Sequence, residues 1–208
     1  MIAEQQYNRF CNLDSITERI INYLIKSDSY DANRIWKLLK YSDKDALLKE
    51  NLTQEQKAEL IDDDGIHQSE KKVFRYPFLE DSFTVRTSLL RIYIDSVVPK
   101  NHLTSVVNIG FDIISHNKIS NIYNDSSDPI EDPEKFKQVD SEIMIKSRND
   151  VLLKSLLSEL NGKDVEGVGR FVFDNQMSPF AQAKYGLFNN KNYCGFKLII
   201  PCLQSGVS

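Results

Sequence analysis

Near residue 73 the hydrophobic pattern changes its period, and that change limits the folds open to this chain. Upstream, apolar residues recur every three or four positions. Ile16, Ile20, Ile21 and Leu24 form one helical stripe, and Ile35, Trp36, Leu38 and Leu39 form a second. Capping signals punctuate the region: Ser15 with Glu18 in "SITE", Ser42 with Asp45 in "SDKDALLKE", and Thr53 with Gln56 in "TQEQKAELI". The expectation for residues 1–70 is three or four short helices, each too short to persist without packing on something else.

Downstream the period is two. "VFRYPF" is a short strand candidate whose Pro77 implies an edge or a strand end. In "LLRIYIDSVV", Leu90, Ile92 and Ile94 alternate with Arg91, Tyr93 and Asp95. In "VVNIGFDIISHNKI", Val107, Ile109, Phe111 and Ile113 make a buried face opposite Asn108, Gly110 and Asp112, and the strand runs out at His116. "PKNH" between these runs supplies turn residues, so the two should pair as an antiparallel hairpin. Residues 117–141 are polar and acidic with two prolines, which predicts a long loop insertion.

"NDVLLKSLLSELNG" is the strongest helix in the chain. Asn149 or Asp150 is placed to cap it; Val151, Leu152, Leu156, Leu157 and Leu160 form its apolar face, and Asn161-Gly162 stops it. "VGRFVFDN" and "YCGFKLIIPC" read as two further strands. Between them, Ser178, Pro179 and Gly186 predict one short helix, carrying Phe180, Tyr185 and Phe188 on an excursion. Those rings serve either a partner or their own domain. The sum is an α+β chain. An antiparallel or mixed sheet with a helix packed on one face fills residues 71–208, preceded by the small helical region.

Chemistry is sparsely signalled. There is no P-loop, no Gly-x-Ser-x-Gly elbow and no His-Glu-x-x-His helix. "GVGR" at 167–170 leads into a strand and fails as a dinucleotide fingerprint; it reads as a turn. His67, His102 and His116 stand far apart in polar turn contexts, and His116 reads as a strand-end residue. Asp62 to Asp64, and the run Asp125, Asp128, Glu131, Asp132 and Glu134, offer oxygen ligands without the spacing of a calcium loop, so they read as solvated acidic loops. The reading is of a protein that is not an enzyme, with no catalytic residue, no metal and no cofactor. Cys11, Cys194 and Cys202 form neither a disulfide framework nor a zinc motif, which suits free thiols in a reducing cytoplasm. The first residues lack the apolar core of a secretory signal, and no run is long enough to span a bilayer. A net charge of −4 argues against a broad basic face for nucleic acid.

The order of strand hairpin, helix ending in "LNG", "GRFVFDN" and "GFKLIIP" resembles the tail-terminator and neck proteins of tailed bacteriophages. The stretch "NRIWKLLKYSDKDALLKENLTQEQKAELI" with "LLRIYIDSVVPKNH" is also similar to phage virion proteins, so the resemblance spans residues 33–203. It implies a structural virion protein of the neck or tail, made in the bacterial host cytoplasm. Copies would form a ring, commonly a hexamer, that terminates the tail and joins it to the head beside other neck and tail-tube proteins. DNA would pass through the channel without specific binding, and no membrane is involved. Phe180, Tyr185, Phe188 and His116 would then be subunit-interface residues. The larger helical region and the 117–141 insertion depart from the minimal pattern, which leaves a stopper, connector or collar ring open. A cytoplasmic protein-binding module is the alternative outside the virion.

Overall fold

The computed structural model describes residues 13–62, 70–76, 86–100, 104–123, 145–173, 184–187 and 192–205. Three helices lead: α1 (Leu13–Lys26), α2 (Tyr30–Lys40) and the short α3 (Gln54–Glu59). The expected stripes are the buried ones: Ile16, Ile20, Ile21 and Leu24 on α1, and Ile35, Trp36, Leu38 and Leu39 on α2. The buried Trp36 indole donates to the Leu24 carbonyl at 2.9 Å, which locks the two helices together at a polar atom. Thr53 and Gln56 form the predicted capping box on α3.

Two other predicted caps fail. Ser15 lies inside helix α1, after Leu13, which packs on the core, rather than ahead of the helix as its cap. Ser42 turns its hydroxyl to the Arg86 carbonyl at 3.0 Å, and the segment after it forms only a single 3-10 turn, Ala46–Leu48. A tertiary partner took the side chain that a local cap needed.

The sheet is mixed and seven-stranded. Strand β1 (Val73–Phe74) runs parallel to β2 (Ser88–Pro99), which pairs antiparallel with β3 (Thr104–His116) as predicted. A bulge between Ile94 and Ser96 inserts Asp95 into β2. The predicted loop does not begin at once: a 3-10 turn at Asn117–Ile119 is followed by β4 (Asn121–Tyr123), which pairs with β5 (Ile145–Ser147) as a separate ladder. Ile119 and Ile122 are buried, and their burial holds this start of the loop against the domain. The remainder, 124–141, lies outside the described residues.

Helix α4 (Arg148–Leu160) crosses the sheet, burying Val151, Leu152, Leu156 and Leu160. Its N-cap is Ser147, so Asn149 and Asp150 sit within the first turn and not at the cap. The predicted stop holds: Asn161 is the C-cap and Gly162 follows at φ 79°, a left-handed conformation that suits glycine. The turn expected at "GVGR" joins two strands, β6 (Asp164–Val165) and β7 (Gly169–Phe171), into a hairpin, and β8 (Lys184–Leu187) and β9 (Tyr193–Ser205) complete the sheet.

Strand β9 is the axis of the sheet. One side pairs with β3 along its whole length; the other carries β8 opposite Gly195 to Leu198 and β7 opposite Cys202 and Leu203. Pro201 lies between, its carbonyl accepting from the Val172 amide at 2.9 Å. Proline has no amide to offer, which fits a place where the outer strand changes. Gly186 pairs with Phe196 inside β8, so it does not stop a helix there. Backbone pairing along β9 overrides its helix-ending preference. One core unites α1, α2, α4 and the helix-facing side of the sheet.

Candidate functional site

The alternation in β3 predicts one buried face, yet the strand is buried on both: Asn108 and Asp112 are 0% and 2% exposed. The second face carries a row of charges. Arg91 on β2 meets Asp112 on β3 through Nη2 and Oδ2 at 2.7 Å. The Tyr93 hydroxyl donates to the other carboxylate oxygen at 3.1 Å. Lys197 on β9, opposite Asp112 in register, ion-pairs with the bulged Asp95 and lies 5.3 Å from the centre of the Tyr93 ring. The bulge places Asp95 for that contact.

Burial pushes the Asp112 carboxyl and the Tyr93 hydroxyl upward, the first against the pull of Arg91, Tyr93 and Lys197. For Lys197, burial works against the charge, but the hydrogen bonds with Asp95 and Tyr93 outweigh it and raise its pKa. Both Asp112 oxygens are engaged by β2, so the carboxylate ties β3 to β2, while Lys197 adds β9 to the row through Asp95 and the Tyr93 ring.

The other buried ions act as clamps. Arg148 at the start of α4 is 0% exposed and donates to four carbonyls: Ile119, Leu38, Tyr41 and Asp43, at 2.8, 2.9, 2.6 and 2.7 Å. Burial lowers its pKa to about 10, so it stays protonated at neutral pH. Lys57 on α3 donates to the Ile25 and Ser27 carbonyls at the end of α1 at 3.2 and 3.0 Å. Glu159 on α4 accepts from Ser27 and Ser29, and with burial it raises the Tyr23 hydroxyl to about 12. Sequence reasoning passed over Arg148, Lys57 and Glu159, because a lone charge next to a helix end reads as solvated. Their partners are carbonyls and hydroxyls far away in sequence.

His116 is the last residue of β3, as expected of a strand end, and it is buried. Its Nδ1 accepts from the Lys118 amide at 3.1 Å, and its ring meets Tyr193 edge-on with centroids 5.2 Å apart. Burial, with Lys118 and Arg86 nearby, pulls its pKa below the usual histidine value. Asp62, also buried, accepts from the Tyr76 hydroxyl at 2.5 Å. Asp63, Asp64, His67, His102, Cys11, Phe180 and Phe188 lie outside the described residues. Tyr185 is described only as a backbone position in β8, opposite Lys197. Cys202 packs in the core with burial pushing its thiol up to about 12, as expected of a small hydrophobe. Among the described residues, no three His, Cys, Asp or Glu side chains gather to hold a metal, and no helix is long and apolar enough to cross a membrane.

A groove of about 410 Å³ runs along the polar side of α1 beside the β6–β7 turn, lined by Glu18, Arg19, Asn22, Tyr23, Lys26 and Glu166 among others. Arg19 spans it to the Glu166 carbonyl at 3.4 Å. Its charges are mixed in sign, and they single out no ligand.

No curated protein and no solved structure matches the chain. A family model described as YomW matches residues 32–202, from within the first turn of α2 to within β9. That span takes in the Arg148 clamp, the charged row and all of the sheet but the last residues of β9, and by it the chain belongs to the YomW family.

Proposed function

We propose that this chain is a structural protein of a tailed-phage neck, forming a homo-oligomeric ring that terminates the tail and joins it to the head around the DNA channel. The observation that carries the reading is that, among the described residues, the sheet has an open edge on each side. On one side, β1 covers only Leu90 and Arg91, so β2 from Tyr93 to Pro99 has no strand beyond it among the described residues. On the other, β8 pairs with β9 alone among the described residues. Two different open edges on opposite sides suit a head-to-tail contact, which closes into a ring when the rotation per subunit allows. The buried ions among the described residues act as clamps, which suits a scaffold. A net charge of −4 suits a channel that DNA traverses without adhering.

The test is the oligomeric state of the purified full chain by light scattering and electron microscopy. A closed ring, commonly a hexamer, is expected. Val98, 41% exposed near the end of β2, is the place for an edge-blocking charge. Val98→Lys should leave the subunit folded with an unchanged melting temperature and prevent ring closure. A wild-type chain that stays monomeric at high concentration, alone and with tail tubes, would overturn the reading.

A further inference from the structure

A second polar row crosses the sheet on its helix-facing side, under the first turn of α4. Ser88 on β2 lies opposite Ser115 on β3, and Ser115 lies opposite Cys194 on β9. All three share the parity of Leu90, Ile113 and Leu198, which face the main core. Asn149, in the first turn of α4, reaches down to the row, its Nδ2 donating to the Cys194 carbonyl at 3.1 Å and lying 3.6 Å from its sulfur. The His116 amide donates to the Thr87 carbonyl at 3.1 Å. That makes the adjacent Ser88–Ser115 pair a non-hydrogen-bonded one, whose side chains stand closest across an antiparallel ladder.

Three atoms of this row have no hydrogen-bond partner among the described residues: Ser88 Oγ, Ser115 Oγ and Asn149 Oδ1. Their residues are 1%, 0% and 3% exposed. Leaving a buried polar atom unsatisfied is unfavourable, and three on one patch are rare without a shared partner.

We infer that this row holds an internal water molecule, bridging the sheet to the first turn of α4. The chemistry of the donor set selects it. Each hydroxyl donates or accepts, while Asn149 Oδ1 can only accept, so the occupant must both give and take hydrogen bonds. An anion would face the amide oxygen, which repels it. A metal cation would lack a carboxylate in the row to balance its charge. Water needs two to four polar partners, and the row supplies three. Cys194, only partly buried, closes one end of the row. The bridge also pins register. A slip of β2 against β3 by one residue would turn Ser88 to the opposite face and break it.

The test uses the full wild-type chain. A high-resolution crystal structure should show density within hydrogen-bonding distance of at least two of the three atoms. Oxygen-17 relaxation dispersion in solution should report a long-lived internal water that Ser115→Val removes, because the added methyl fills the space and deletes a partner. Serine hydroxyls satisfied by neighbouring carbonyls with no density between them would overturn the inference. So would density at metal–oxygen distances. Should Ser115→Val fail to fold, the wild-type density still decides.

Discussion

The ring of Tyr93 lies over Gly110 on the neighbouring strand, so close that a Cβ at Gly110 would stand 2.8 Å from two ring carbons. The glycine has no side chain to pack, and the ring covers the backbone that it leaves bare. In that position the Tyr93 hydroxyl reaches Asp112 and its ring flanks Lys197. Gly110→Ala should therefore displace the ring and destabilise the fold by about 1–3 kcal/mol. Urea denaturation measures the loss. Tyr93→Ala should remove most of the added penalty when the two changes are combined, and strict additivity would show that the ring is not the cause.

Arg148→Met should be among the most damaging single changes in the chain. It leaves four carbonyls without that donor, those of Ile119 and Leu38 in buried bonds, a loss of about 3 kcal/mol or more. Lysine keeps the charge but lacks the planar fork that serves several carbonyls at once, so Arg148→Lys should recover only part of the stability. Thermal melts of the two variants beside wild type check both statements.

His116 sets a sign for the acid limb of stability. Its folded pKa lies below the ordinary 6.5. As pH falls from neutral through that value, the unfolded chain takes up a proton that the folded chain resists, so stability falls. The burial of the residue, with its Nδ1 already accepting from the Lys118 amide, gives the structural reason. Stability measured from pH 7.5 down to pH 5 should decline in wild type and decline less in His116→Asn. Equal slopes would show that the imidazole stays free to protonate in the fold.

The two described thiols should differ in reactivity. Cys202 is 0% exposed, with its thiol pushed up to about 12 and set 3.5 Å from the Val168 carbonyl. Cys194 is only partly buried. Native-state alkylation at pH 8 followed by mass spectrometry should label Cys194 and spare Cys202 until the protein unfolds.

Much of the architecture was legible from local pattern. The helical stripes, the β2–β3 hairpin, the Thr53–Gln56 box and the stop at Gly162 all rest on neighbours within a few residues, and they appear as read. What was not legible depends on distant partners. Ser42 was taken from its expected cap by a carbonyl at Arg86, and Gly186 joined a strand because β9 was there to pair with it. The charged face of β3 reads as solvent-exposed in isolation. It is buried because Arg91, Tyr93 and Lys197 converge on Asp112 from two other strands, a match that alternation within one strand cannot reveal. His116 is the strand-end residue that its sequence context implies, but its burial against Tyr193 rests on pairing with a strand far along the chain.

The central place of β9 bears on synthesis. Ile109 pairs with Ile200, roughly ninety positions later, and contacts so distant are slow to form. On the ribosome, β3 emerges long before its neighbour and must wait with one edge bare. The N-terminal helices have their local partners early, whereas the sheet cannot close until residues 193–205 leave the exit tunnel. A nascent chain halted before that point would be the form most prone to aggregate, and the one that a chaperone would need to hold.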